Sequence, residues 1–322
     1  YQSINYKLTN ILIMKNIVFT LILLLSTNIY AQKKVLDHDD FDIWNRIQNS
    51  AIDSKGNYVM YSLERGEKDR HLKIKDKDNN LIFDHERSGR SQFTYNSEFA
   101  IFTIKAWKDS IKVMKRNKIK KNDMPKDSLG IFNLEKQTIH KVANVKSYKL
   151  PEKWSGYIGY TYEAPSKKDT TKKKLKKKPK KVNSKNGYTL VIHNLNTGEE
   201  DKIPYVTSYT FAKEAEILSY VTTGIKDSIN AGVYVIDLKK WDSKHIFHSH
   251  DKTKYYKLTL SDSGDNVAFI IDSDTSKSYH RNNELYVWDK TVDKASMIAN
   301  TKISPEGYRV SSDGMVMFSK DE

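Results

Sequence analysis

The chain has 322 residues, no cysteine, a net charge of +15 and 20 tyrosines. The lack of cysteine excludes disulfides, thiolate metal sites and cysteine nucleophiles together, and is compatible with an oxidising compartment. Its aromatic and β-branched residues suit a half-buried pleated surface, and a single all-β domain can reach this length. The charge is local. Eleven lysines and one aspartate lie within residues 165–186, which holds two thirds of the net charge. A second basic run covers residues 112–126, and the rest of the chain is close to balanced.

Residues 1–13 contain no Met and precede Met14, so they read as an upstream or mis-start segment. Residues 14–31 read as a signal peptide: Met14-Lys15-Asn16 is followed by an apolar stretch of nine, Ile17 to Leu25, broken only by Thr20, and then by Ala31. Cleavage is expected after Ala31, giving a periplasmic or secreted protein. The apolar run is about half the length of a membrane span, so no transmembrane segment is expected. No cysteine follows to carry a lipid. Within residues 39–49, Phe41, Trp44 and Ile47 at three-residue spacing mark the likeliest helical piece of the mature chain. No other stretch shows a convincing helical period.

Two units then alternate. The first is a polar turn followed by a strand of period two, at residues 52–62, 93–103, 150–162, 210–222, 258–272 and 309–319. The second is a strand ending in a polar hairpin, at residues 71–83, 130–142, 188–203, 233–247 and 285–298. Asn196-Thr197-Gly198 is its strongest turn signal. Two hairpins per period give four strands, which is one blade of a β-propeller. Successive first units start 41, 57, 60, 48 and 51 residues apart, and the two longest periods contain the basic runs. The expected fold is therefore all-β: residues 32–322 form an incomplete β-propeller of about five four-stranded blades and part of another. The Lys-rich insert at 165–186 is expected to be disordered, because it is too charged to pack. A propeller closes by pairing its last blade with its first, and the chain ends inside a hairpin, so the sequence is expected to be a fragment.

The order of these features resembles the N-terminal half of exported prolyl oligopeptidase family serine peptidases of the Bacteroidetes type. The likeness rests on Asp40, Phe41 and Trp44, on the lysine-rich run leading into Met124-Pro-Lys-Asp-Ser-Leu-Gly-Ile131, on Trp154-Ser-Gly-Tyr-Ile-Gly-Tyr160, and on the lysine-rich insert before Gly187-Tyr-Thr-Leu-Val191. It covers essentially all of residues 33–322. The resemblance implies a propeller that filters access of peptide substrates to a C-terminal α/β-hydrolase domain, the partner that supplies Ser, Asp and His. That domain is not part of this sequence, which contains no Gly-x-Ser-x-Gly elbow. Ser88-Gly89 and Trp154-Ser155-Gly156 come nearest and lack the flanking glycine. No catalytic, cofactor-binding or metal residue is assigned, no cofactor is expected, and the chain alone should be inactive. The alternative is a non-enzymatic periplasmic propeller, similar to that of TolB-type proteins, binding protein or glycan.

Some members of that family hold the substrate's free N-terminus with two propeller glutamates. Glu199-Glu200 is the adjacent pair here, but it follows a hairpin glycine and reads as a solvated hairpin. His245, His248, His250 and Asp251 form the densest group of potential metal ligands, at a spacing that matches no zinc motif; solvated loop histidines are the favoured reading. The basic insert lacks interleaved aromatics, which argues against nucleic acid. A third possibility is a surface protein that adheres to anionic polymers through this insert. Trp241-Asp242 and Trp288-Asp289 look like WD repeats but lack the Gly-His partner.

Overall fold

The computed structural model describes residues 13–20, 37, 40, 44–164, 180–248, 250, 253–274, 276 and 278–320. The expected cleavage point at Ala31, most of the upstream segment and residues 165–179 of the insert lie outside these. Two compact units are formed, Tyr1–Trp44 and Asn45–Glu322. In the first, residues 13–20 are helical and expose Ile13, Met14, Ile17, Val18 and Phe19. Among the described residues no helix is long and apolar enough to cross a membrane.

The second unit is a succession of antiparallel four-stranded meanders, the expected β-propeller blades. Blade 1 is β1 (Asn45–Ile52), β2 (Tyr58–Arg65), β3 (His71–Asp76) and β4 (Leu81–His85). Blade 2 is β5 (Ser88–Phe93), β6 (Phe99–Ile104), β7 (Ser128–Asn133) and β8 (Thr138–Val142). Blade 3 begins with β9 (Val145–Lys149), β10 (Tyr157–Tyr162) and β11 (Tyr188–Asn194). Its fourth strand is the first half of β12 (Glu200–Phe211), whose second half opens blade 4, completed by β13 (Ile217–Thr222), β14 (Gly232–Asp237) and β15 (Asp242–His248). Blade 5 is β16 (Lys254–Leu260), β17 (Asn266–Asp272), β18 (Asn283–Asp289) and β19 (Ser296–Ala299).

Blades 3 and 4 are thus joined into one seven-stranded sheet. Leu190 of β11 pairs with Ile203, whereas Ser208 pairs with Val221 of β13. Between them Pro204 has no N–H to donate, and Tyr205 takes φ 57°. The strand therefore changes partners at this corner without ending.

The hairpins have a local cause. The residue closing the third strand of every blade (Asp76, Asn133, Asn194, Asp237 and Asp289) accepts a backbone N–H two or three residues on, at 2.7–3.0 Å. Such Asx turns reverse the chain at low cost.

Alternating side chains fill both faces of each inner blade, giving four apolar clusters between consecutive blades. Ala100, Phe102 and Phe132 pack on Met60, Leu72 and Ile74 of blade 1, while their neighbours Ile101 and Ile131 pack on Ile158 and Tyr160 of blade 3. Leu218 and Ile236 face Leu190 and Ile192 of blade 3, whereas Val221, Val233 and Val235 face Val267, Phe269 and Ile271 of blade 5. Period two thus serves two cores at once.

Three expectations fail. Residues 45–49 of the expected helix belong to β1, where Asn45 pairs with Arg65 and Ile47 with Leu63; the ladder to β2 outweighs a weak three-residue apolar spacing. A helix does form, but at Lys108–Arg116, within the insert between β6 and β7. Asp109 in its first turn and Lys115 and Arg116 in its last complement the helix dipole. None of its residues is fully buried, but Ile111 and Met114 are half-buried on one face; nine residues rich in lysine are too few for that spacing to stand out in the sequence. Finally, residues 309–319 form no strand. They lie against blade 5, where Asn283 Nδ2 donates to the Val310 carbonyl (2.9 Å) and Thr259 Oγ1 to that of Val316 (3.1 Å).

Candidate functional site

The strands within a blade differ sharply. Second strands such as β6 and β17 are almost wholly buried, whereas the first strands β1, β5, β9 and β16 each end a sheet; β1, β9 and β16 are exposed or half-buried along most of their length, and β5 exposes Arg90. Neighbouring blades approach each other through these first strands, β1 against β5 and the second half of β12 against β16. The first strands therefore converge and line the inner side of the blade stack.

All five first strands depart from regular pairing in the same way. The ladder to the second strand shifts register between Gln48 and Ala51, Ser88 and Ser91, Val145 and Ser147, Val206 and Ser208, and Tyr256 and Thr259. Each bulge leaves an exposed polar residue out of the ladder: Asn49, Arg90, Lys146, Thr207 and Lys257. In blades 1 and 5 the skipped residue takes positive φ, 51° at Asn49 and 53° at Lys257. A bulge re-aims the side chain it expels, and here one recurs at the same place in every blade.

The lining is strongly cationic. First-strand segments carry Arg46, Arg90, Lys146, Lys149, Lys254 and Lys257, and no Asp or Glu. Of these, only Lys254 forms an ion pair among the described residues, at 3.7 Å from Asp272. Three of the others rest on aromatic rings or a carbonyl. The Arg90 guanidinium lies 5.1 Å from the Tyr148 ring centre and Lys146 Nζ 4.6 Å from that of Tyr188. Lys149 Nζ sits 5.1 Å from the Tyr209 ring and donates to the Tyr209 carbonyl at 2.7 Å. Lys149 is exposed overall, yet burial around its ammonium group partly desolvates it. That desolvation, with Arg90 nearby, lowers its hold on the proton.

Two clefts stand out, and the first adjoins this lining. One, of about 740 Å³, is lined by Thr207 and Lys254 together with Lys180, Thr223, Thr253 and Arg281. Arg281 is bonded bidentately to the buried Asp272 at 2.9 and 2.7 Å, and Lys180 Nζ donates to the Thr223 hydroxyl at 2.8 Å. Lys180 is thus a folded part of the insert that was expected to be disordered throughout. The second, of about 980 Å³, lies among hairpins and includes His140, His193, Glu98, Glu135 and Glu200.

In this second cleft the hairpin reading of Glu199-Glu200 needs correction. Glu199 is exposed, but Glu200 accepts from the buried Tyr160 hydroxyl (2.5 Å), sits 3.2 Å from His193 Nδ1 and pairs with Lys202 (3.1 Å). Burial opposes ionisation of Glu200, yet these bonds outweigh it and keep the carboxyl below its ordinary range. Burial, reinforced by that carboxylate, pushes the Tyr160 hydroxyl far above its ordinary value. The pair therefore does not act as two matched solvated carboxylates. Nothing in the hairpin sequence marks this network, because Tyr160 comes from a strand 40 residues away.

The remaining sequence candidates have structural roles. Gly89 is buried in β5, where a Cβ would fall 2.2 Å from Thr103 Oγ1. Trp154 is buried and donates its indole N–H to the Ala212 carbonyl. Trp288 is buried in the core between blades 4 and 5, whereas Trp241 is exposed with φ 53°. His245 stacks on Tyr234 with ring centres 4.3 Å apart and meets His248 edge-on; Asp251 lies outside the described residues. Among the described residues no group of three His, Asp or Glu could hold a metal ion.

No protein-family model matches the chain, and no curated protein matches it. Among solved structures it is similar to the propeller domain of the trilobed protease from Pyrococcus furiosus, with 13% identity, TM-score 0.43 and coverage of 80% of this chain and 72% of that one. It is also similar to the acylaminoacyl peptidase of Pyrococcus horikoshii, with 11% identity, TM-score 0.40 and coverage of 79% and 40%. TolB from Acinetobacter baumannii matches with 10% identity, TM-score 0.33 and coverage of 76% and 52%. The chain thus spans about half of that TolB and less of the acylaminoacyl peptidase. All three TM-scores lie below 0.5, so the blade assignment rests on the chain's own sheets and cores.

Proposed function

We propose that this chain is the substrate-filtering propeller of an exported serine peptidase of the prolyl oligopeptidase family, working with a separate catalytic α/β-hydrolase domain. The observation that carries the reading is the convergence of five bulged first strands into a polar, cation-bearing lining. A passage for unfolded peptide needs polar walls that do not collapse onto its cargo. The bulged residues of this lining are polar and exposed, although Ile47 and Ile52 of β1 are exposed beside them, while the buried apolar residues pack between blades. The Asp40/Trp44 opening and the Trp154–Tyr160 stretch support the family. By itself the chain is expected to hydrolyse no peptide. Sequencing the coding DNA past the Glu322 codon tests the proposal: an in-frame domain with a Gly-x-Ser-x-Gly elbow is expected, and a stop codon there in an intact gene overturns it.

The second reading, a non-enzymatic propeller binding protein or glycan, is favoured by the completeness of four inter-blade cores within this chain. A natural stop after Glu322 would support it. Both readings include export, for which the apolar surface of helix 13–20 in a signal-like N-terminus is the support. Edman sequencing of the periplasmic protein should begin at Gln32; a product that retains Met14 would contradict cleavage after Ala31.

A further inference from the structure

We propose that the bulged first strands bind an extended peptide rich in Asp and Glu, reading its charge with Arg90, Lys146 and Lys257 and its backbone with the free strand edges. This rests on the filtering role proposed above and names its substrate class.

Three observations converge. First, the lining carries six cations and no carboxylate. Surface cations are usually interspersed with acids, and one-signed rows raise the local concentration of the opposite charge. Second, the cations at the bulges are uncompensated: none of Arg90, Lys146 and Lys257 forms an ion pair among the described residues. Burial, with Arg90 nearby, lowers the proton affinity of Lys149, and the like-charge part of that arrangement is what an incoming carboxylate would relieve. Third, β1, β5, β9 and β16 each terminate their sheet and keep one row of backbone N–H and C=O groups unpaired by a further strand. Such an edge pairs with an extended polypeptide, main chain to main chain, while alternate side chains reach neighbouring pockets. The edge distinguishes a peptide from other polyanions: a glycan or nucleic acid has no backbone that completes a β-ladder. The rings beside these cations already lie under Arg90, Lys146 and Lys149, so they offer no stacking platform for bases.

The test is fluorescence anisotropy with the purified full chain and labelled octapeptides of one sequence containing four Glu, four Gln or four Lys. The Glu peptide should bind about tenfold more tightly than the Gln peptide, as two or three exposed charge pairs provide. The advantage should shrink as salt rises. The triple variant R90Q/K146Q/K257Q should lose the Glu preference while retaining a cooperative melt by circular dichroism. If it does not fold, R46Q/K257Q serves as the second variant, with a partial loss expected. The variant K172Q/K173Q/K174Q, in the lysine-rich insert, should bind as the unaltered chain does. Equal affinity for the Glu and Gln peptides overturns the proposal. So does loss of preference only in the insert variant, or equal binding of single-stranded DNA or a sulfated glycan of matched charge. None of these results bears on the coding-DNA test, so failure of the substrate class and failure of the peptidase reading are separable.

Discussion

The first and second strands of one blade are neighbours in the sheet and opposites in chemistry. β17 reads Asn-Val-Ala-Phe-Ile-Ile-Asp and is buried almost end to end, whereas its partner β16 reads Lys-Tyr-Tyr-Lys-Leu-Thr-Leu and is partly exposed throughout. The second strand supplies alternate residues to two inter-blade cores. The first gives up regular pairing at a bulge and sends a polar residue outward. Stability and an exposed polar edge are thus carried by adjacent strands, so substitutions in the two should behave differently.

The largest effect belongs to the second strand. Phe269 is fully buried and packs edge-on against Phe247 and stacked with Tyr286. Phe269→Ala should cost about 3–5 kcal/mol in denaturant unfolding, because no neighbour can refill the void. At the end of the same strand, Asp272→Asn removes the charge that holds Arg281 and should cost about 2–4 kcal/mol, a break in a buried ion pair. On a third strand, Gly130→Ala would place a Cβ 2.5 Å from the Phe102 ring, an overpacking worth about 1–3 kcal/mol.

A smaller effect depends on pH. Burial, with Lys294 nearby, lowers the pKa of His245 below 6.5 in the folded state. The unfolded chain therefore binds more protons below that pH, and stability contributed by the neutral ring is present above about pH 6.5 and lost as pH falls. The melting temperature should drop on the acid side, and His245→Gln should flatten that slope. The smallest effect is expected on the first strand. Lys149→Gln should change stability by no more than about 0.5 kcal/mol, as exposed substitutions do. A loss as large as that of Phe269→Ala would abolish the contrast between the strands.

How much of this was legible in the sequence follows from the same contrast. The alternating second strands, the polar turns before them and the Asx-closed hairpins are local patterns, and they placed four strands in each of five blades. The helix at Lys108–Arg116 escaped because its apolar face is only Ile111 and Met114, two half-buried residues within a short lysine-rich stretch. Residues 309–319 carry the turn-and-strand pattern, but the pattern alone supplies no partner ladder, and they remain irregular. The bulges were invisible for a different reason. Arg90, Lys146 and Lys257 look like ordinary solvated charges until pairing registers show that each is an exposed residue its strand leaves out of the ladder. The Tyr160–Glu200 bond likewise links strands that only the fold brings together.

The corner at Pro204-Tyr205 has a mechanical consequence. Blades 1, 2 and 5 touch their neighbours through side chains and a few backbone bonds, such as Ser88 N–H to the Arg70 carbonyl and Ala295 N–H to that of Ile246, so each can separate by breaking these and sliding apolar surfaces. Blades 3 and 4 cannot, since one strand is stitched into both ladders. Under load or during partial melting they should come apart as one block, with the amides on either side of the corner exchanging with solvent together. The stack is then less a string of five equal beads than a double bead flanked by single ones, and any parting of the stack should begin at the single joints.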